Sequence, residues 1–419
     1  MLFTFGARSS LLLPFVMPGA VAALWLLGRA WRRSTVADAL LALLIALPTL
    51  SVAQWMLGYA GWYDSHDAHS TLMFYVPWQL GLALGPAWYL YFRSLINQEF
   101  RLRPLARHLV PGALQTGLFA AAAAYDLLWR RGVLDRVLPY HFGTKGAAAE
   151  WLDKLSPGLE VLGYVLLLGY GLRMLADYRQ YRRYLDDNFS DPERLRFAGL
   201  RQLLLLQLLG LGLNLSYSVL EMGFGPFSYD QAWNAFALRG VLIYGLIVVG
   251  VQANYAAATS PLRFGTAAAS EPETQSVEVT EAPAQEVQKA ENRAAPASVV
   301  PSSLPPELLS LREALLTLMQ EQRPWLEPEL TLAELAQRLR THPAALSRTI
   351  NAGCGQNFND FVNSYRVAEA RRKLADPRFS HYSLVGVALE SGFNSKSTFN
   401  RVFKKLDGRA PSEVERPKS

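Results

Sequence analysis

Between Leu11 and Ala256 the chain is a succession of long apolar runs, and that feature limits its fold more than any motif. A helix needs about twenty mostly apolar residues to cross a bilayer. Seven stretches reach that length, near 10–28, 36–60, 71–95, 105–129, 155–176, 199–222 and 233–256. A cleavable leader is the rival reading of the first. It is disfavoured, because six more runs follow and no small-residue cleavage site precedes Trp31. The composition agrees: 51% of residues are hydrophobic and 18% charged, against about 25% charged in ordinary soluble proteins.

The segments between runs set an orientation, because Lys and Arg concentrate on the cytoplasmic side. Arg29, Arg32 and Arg33 follow run one, and Arg101, Arg103 and Arg107 follow run three. The densest group follows run five: Arg173, Arg179, Arg182, Arg183, Arg194, Arg196 and Arg201. Residues 61–70 and 223–232 contain neither Lys nor Arg. The pattern predicts an outer N-terminus and a cytoplasmic C-terminus. One segment dissents: 130–154 should lie outside, yet it holds Arg130, Arg131, Arg136, Lys145 and Lys154.

Polar residues inside the runs are few. Glu160, Glu221 and Arg239 are expected at similar depth in the outer third, where charges pair or mark a cavity. Two readings stand: a structural Glu–Arg pair joining helices six and seven, and an outward signal-sensing pocket. Gly81, Gly85, Gly163 and Gly169 are expected to let helices pack closely, and Gly210 and Gly212 to do the same. Asp64, His66, Asp67 and His69 resemble a metal set but read better as a solvated loop, so no metal site is predicted. No run carries a lysine for a retinal Schiff base, and no zincin, phosphate-loop or nucleophile–base pattern occurs. Neither an enzyme nor a cofactor is expected. The single cysteine, Cys354, excludes an intrachain disulfide.

After Ala256 the pattern changes. Residues 257–304 are rich in Ala, Pro, Ser, Thr and Glu, with no hydrophobic period, and predict a flexible acidic linker. About 45 such residues have a root-mean-square span of roughly 35–40 Å, too slack to transmit a helix tilt.

From 305 onward the chain reads as a soluble helical domain. Leu308, Leu311, Leu315, Leu318 and Met319 form one stripe of a first helix. Thr331 and Glu334 form a capping box ahead of Leu332, Leu335, Ala336 and Leu339. A turn at Thr341, His342 and Pro343 leads to a helix burying Leu346 and Ile350 and stopping near Gly353. A longer helix over 358–375 follows, with Phe361, Val362, Tyr365, Ala368 and Leu374 inward. Then the unit repeats. Leu384, Val387 and Ala388 mark a short helix, Ser391, Gly392 and Phe393 a turn, and Phe399, Val402, Phe403 and Leu406 the core of a last helix. Two helix-turn-helix units joined by a helix suit recognition of a DNA major groove. Residues 331–419 hold fifteen Lys or Arg against eight Asp or Glu, and a phosphate backbone attracts such a domain.

The residues from 330 to 412 resemble the AraC/XylS family of bacterial transcription regulators. The resemblance is carried by Leu330-Thr-Leu-x-Glu-Leu-Ala336, Leu346-Ser347-Arg348-x-Ile350-Asn351, Asn357-Phe358-x-Asp360-Phe361-Val362-Asn363-x-Tyr365-Arg366-Val367, Gly392-Phe393-x-Ser395-Lys396-Ser397-Thr398-Phe399-Asn400-Arg401-x-Phe403-Lys404-Lys405 and Gly408-Arg409-Ala410-Pro411-Ser412. It implies two recognition helices in successive major grooves. By matched position, Ala344, Ser347 and Arg348 form the first reading surface, and Lys396, Ser397, Asn400 and Arg401 the second, with Lys404 and Lys405 beside it. Ala344 and Ala345 offer little side chain to read bases. In place of a soluble ligand domain stands the apolar half, whose Leu84-Gly85-Pro86-Ala-Trp-Tyr89-x-Tyr91-x-x-Ser94 segment is similar to one in membrane-bound AraC-type regulators.

The expectation is therefore an all-α chain. Residues 1–256 would form a seven-helix transmembrane bundle, 257–304 a disordered linker and 305–419 an AraC-type double helix-turn-helix domain. It predicts a multi-pass protein of the bacterial inner membrane that regulates transcription. Its partners would be double-stranded DNA, the lipid bilayer, a second copy of itself, and an unknown small-molecule or periplasmic signal. The alternative is a membrane receptor or transporter whose basic C-terminal domain binds a protein.

Overall fold

The computed structural model describes residues 4–33, 35–97, 100–192, 198–225, 227–258 and 305–414, and every regular element among them is helical. The chain divides into two compact units, one of Met1–Tyr181 with Phe197–Gly265, the other of Arg182–Arg196 with Thr266–Ser419.

The first unit holds α1 (Ala7–Arg33), α2 (Val36–Tyr59), α3 (Ala68–Tyr75), α4 (Gly81–Ile96), α5 (Val110–Ala123), most of α6 (Ala147–Asn188), α7 (Ala198–Phe224) and α8 (Tyr229–Ala258). Among the described residues, five helices are long and apolar enough to cross a membrane: α1, the stretch containing α2, α6, α7 and α8. Apolar side chains such as Leu24, Val165, Leu172, Val219 and Val248 face outward, as a bilayer permits and water disfavours. At about 1.5 Å per residue, the 42 residues of α6 reach roughly 63 Å, about twice a bilayer's apolar core.

The other two expected spans are not single α-helices. The third breaks at 76–80. Pro77 excludes the helical region for Val76, which sits extended at ψ 130° and ends α3. The freed backbone groups are answered locally. The Trp78 ring N–H donates to the Met73 carbonyl at 3.1 Å. The Gln115 amide accepts from the Leu82 N–H at 3.1 Å and donates to the Gln79 carbonyl at 3.0 Å. The fourth starts as a 3-10 turn over Arg103–Leu109, runs as α5, and widens to a π-helix over Ala124–Val133. That wider turn places Asp126, fully buried, where it accepts from the Ala148 and Ala149 N–H groups at the start of α6 and from the Tyr75 hydroxyl.

Polar residues also tie the long helices together. Asp38 on α2 accepts from Arg29, Thr35 and Asn254, and Asn254 accepts in turn from the Tyr91 hydroxyl at 2.7 Å. Four helices thus meet at one carboxylate. Of the glycines expected at close contacts, Gly85 lies against the Leu166 and Leu167 backbone and Gly163 against that of Gly81. Gly169 and Gly212 face open space, so neither packs a helix. Asp67 caps α3 through the His69 N–H, and its neighbours Ser65 and His69 bond to it. Nearly all of the expected linker lies outside the described residues; only 257 and 258 are described, closing α8.

The second unit holds the end of α6 from Arg182, then α9 (Pro306–Gln322), α10 (Leu332–Arg338), α11 (Pro343–Cys354), α12 (Phe358–Ala375), α13 (Leu384–Glu390) and α14 (Lys396–Asp407). It has two cores. Leu315, Trp325, Leu335, Leu346, Ile350 and Phe361 belong to the first, and Val367, Leu374, Val387, Phe393, Phe399 and Phe403 to the second. α12 supplies its first half to one core and its second half to the other, so it sets the spacing of the two halves.

Candidate nucleic-acid interface

Each helix-turn-helix is fixed by its caps. The Thr331 hydroxyl accepts from the Glu334 N–H at 3.2 Å, and the Glu334 carboxylate accepts from the Thr331 N–H at 2.8 Å, the capping box its sequence predicts. Arg340 takes the left-handed turn at φ 52°, and Pro343 opens α11 as its first residue. α11 runs one residue past the predicted stop, to Cys354, and Gly355 closes it at φ 67°. In the repeat, Ser383 caps α13 through the Gly386 N–H at 3.0 Å, and Ser395 caps α14 through the Thr398 N–H at 3.2 Å. Gly408 at φ 82° ends α14.

Burial along α14 separates core from surface. Phe399, Val402 and Phe403 are buried; Lys396, Ser397, Asn400, Arg401, Lys404 and Lys405 are exposed. The solvent face therefore carries cations and amide or hydroxyl groups at helical spacing, the side chains that bond phosphates and base edges. Leu406, expected in the core, is exposed; at that end of α14 the contact with α12 is made by Asp407, which pairs with Arg371. Ala368 is likewise exposed, while Arg366, two residues earlier, takes the interior place. Lys405 is bound within the domain, donating to Asp360 on α12 at 2.6 Å. On α11, Ala344 and Arg348 are exposed and Ser347 is half-buried, with Arg348 bonded back to the Ala344 carbonyl at 3.4 Å.

Sequence reading missed the residue that joins the two halves. Arg366 is 1% exposed. Its guanidinium donates to the carbonyls of Trp325 at 2.8 Å, Glu327 at 2.7 Å and Pro328 at 3.3 Å, and to the carbonyl and hydroxyl of Ser190. Burial pulls its pKa down to about 10, which leaves it charged at neutral pH. Ser190 belongs to a short strap from the middle of the sequence. Phe189 pairs in antiparallel fashion with Thr331, and the Ser190 N–H donates to the Leu330 carbonyl at 3.2 Å. Asn359 donates to the Ser190 carbonyl at 2.7 Å, and Asn394, next to the α14 cap, donates to Asp191 at 3.1 Å. Nothing local in the sequence named the partners of Asn359 and Asn394.

The other predicted site residues lie in the first unit. Glu160 and Arg239 line one cavity, and Glu221 is not among its lining residues. The expected Glu–Arg pair does not form among the described residues. Arg239 on α8 instead donates to Asn214 on α7, and Glu160 accepts from the Tyr164 hydroxyl.

Residues 335–416 match the family described as "Helix-turn-helix domain". Similar curated proteins include an uncharacterised HTH-type transcriptional regulator, YtdP, of Bacillus subtilis strain 168. It is 34% identical over 92 residues, which make up 22% of this chain and 12% of that protein. An uncharacterised HTH-type transcriptional regulator of Staphylococcus aureus strain COL is 27% identical over 85 residues, 20% of this chain and 11% of its own. The chain thus spans about a tenth of the length of the curated relatives it matches. No solved structure matches it. The caps, the repeated helix pair and the family match together show an AraC-type helix-turn-helix domain at the C-terminus of this chain.

Proposed function

We propose that the protein is a membrane-anchored, one-component transcription regulator whose C-terminal domain binds specific promoter DNA. One observation carries the reading: the solvent face of α14 presents Lys396, Ser397, Asn400, Arg401 and Lys404 opposite a buried aromatic core, within a repeated helix-turn-helix. In this reading the second unit reads sequence mainly through Asn400 and Arg401. The first, with Ala344 at its surface, positions the domain through Ser347 and Arg348.

The apolar helices of the first unit support anchoring in the bacterial inner membrane. The arginine-rich segments after runs one, three and five support an outer N-terminus and a cytoplasmic DNA-binding domain. Five crossings and seven crossings both leave the termini on opposite sides. A second copy would raise the local concentration of paired DNA-binding domains and suit a repeated operator.

The test uses the full chain in detergent or nanodiscs, with promoter fragments selected from genomic DNA. Lys404→Ala is expected to weaken binding uniformly across sequences and reduce the salt slope by about one. Arg401→Ala is expected to cost about 1–3 kcal/mol and relax preference at one base pair. The absence of competitor-resistant binding to any fragment would sink the reading and favour a protein partner for the basic face.

A further inference from the structure

The first unit encloses a cavity of about 500 Å³, in the range of small-molecule sites. Its walls are apolar over most of their extent, with Leu44, Trp78, Leu84, Phe119 and Ile243 among them. Three features set it apart from a packing gap. First, the helix break at 76–80 borders it through Val76, Trp78, Gln79 and Leu80. At membrane depth, irregular backbone is tolerated where it is buried in protein or faces a polar cavity. Second, Gln207 lines it and is only 4% exposed; its amide donates to the Leu167 carbonyl at 3.3 Å, while its oxygen has no partner among the described residues. Third, Arg239 reaches the same space with a single hydrogen-bond partner among the described residues, the neutral Asn214. A guanidinium has donors to spare beyond that one bond. Two acids line the same space, but Glu160 accepts from Tyr164 and Asp153 pairs with Lys145, and neither forms an ion pair with Arg239 among the described residues.

An apolar chamber with an unpaired cation and an unanswered acceptor specifies its occupant. We propose that this cavity binds an amphipathic anion: an acyl or aryl body, one acidic group for Arg239, and an adjacent N–H or O–H for the Gln207 oxygen. The acidic group makes charge-assisted hydrogen bonds in a site of low dielectric, where they count for most. Bilayer lipid and a free small molecule share this chemistry. Use of the site as a sensor rests on the regulator reading; occupancy does not, so binding is measured without DNA.

The probe is N-octanoylglycine, added to the full chain in phosphatidylcholine nanodiscs and followed by intrinsic fluorescence and by Tm. It is expected to bind saturably and raise Tm. Arg239→Gln should weaken it by about tenfold or more, the worth of one charge-assisted contact. Gln207→Leu, which removes the lone acceptor and keeps the bulk, should weaken it several-fold. Glu221→Gln, outside the cavity, should leave it unchanged. The neutral N-octanoylglycinamide should bind the native protein about tenfold more weakly. Discs containing phosphatidylglycerol separate the sources. An Arg239-dependent rise in Tm with that lipid alone, and no further rise with the probe, supports the site with lipid as its occupant. A probe response that persists in those discs supports a free small molecule. Equal binding by the native protein, Arg239→Gln and Gln207→Leu, or equal binding of the neutral amide, overturns the proposal whatever the DNA experiments show.

Discussion

Arg366→Leu is expected to destabilise the helix-turn-helix domain by about 1–3 kcal/mol, the cost of a stranded buried acceptor. The guanidinium supplies donors to the Trp325, Glu327 and Pro328 carbonyls, and leucine supplies none. Each buried acceptor left unpaired costs about 1–3 kcal/mol. Removing a buried charge recovers some desolvation, and replacing a whole buried ion pair by apolar residues is often neutral. That compensation fails here because the partners are backbone carbonyls, which stay behind after any substitution. Three of the acceptors keep another donor: Asn359 for the Ser190 carbonyl, Asn394 for that of Pro328 and the Leu330 N–H for that of Glu327. The Trp325 carbonyl is the one left stranded among the described residues. Against roughly 5–15 kcal/mol in total, that loss raises the unfolded population by about one to two orders of magnitude. Hydrogen exchange of the full chain measures this, with peptides of the first unit as the internal reference. Protection across α12 and α14 should fall by the same factor, and Arg366→Lys should fall between. Native-like protection in Arg366→Leu would show that the Trp325 carbonyl finds another donor.

Gly392→Ala is expected to cost about 3 kcal/mol, for two reasons that add. The residue sits at φ 85°, where an L side chain costs about 1–2 kcal/mol. A Cβ there would also overlap the Trp325 carbonyl oxygen and stand 3.0 Å from the Leu326 Cα. Both obstacles are backbone, and the Trp325 carbonyl is held by Arg366, so neither yields cheaply; such overpacking costs about 1–3 kcal/mol. Gly355 and Gly408 supply the control. They sit at φ 67° and 82° with open space around the missing Cβ. Alanine at either should cost only the conformational part, about 1–2 kcal/mol. Thermal unfolding of the three variants checks the order. Equal losses at all three would mean that the contact with Trp325 is relieved by a small shift.

These variants mark where the sequence was readable. The Thr331–Glu334 box and the surface stripe of α14 follow from local spacing, and both stand in the structure. Arg366 did not follow, because a charge between helical positions reads as a surface residue until its distant acceptors are known. Ala368 and Leu406 were misplaced inward for the complementary reason: apolar character alone does not choose a face when polar neighbours, Arg366 and Asp407, take the inward contacts. In the first unit, composition located the apolar runs, but Pro77 and the π-turns after α5 altered how two of them fold. Arg239 was legible as an unusual charge; Asn214 and Gln207, also polar within one run, were the available hint to its surroundings.

The strap at 189–191 bears on the order in which the domain is completed. Ser190 and Arg366 lie 176 residues apart in sequence. Chains are synthesised N-terminal end first, at about 5–20 residues per second, so Ser190 would leave the ribosome roughly ten to thirty-five seconds before its guanidinium partner exists. The helix-turn-helix residues could collapse on their own contacts as they emerge, but the seat over Arg366 would close only with a piece made long before. A release of the chain at residue 305, by truncation or by a protease, would part the domain from that piece. The helix-turn-helix domain is therefore not the last 115 residues alone; in folding terms it is finished by residues that were waiting for it.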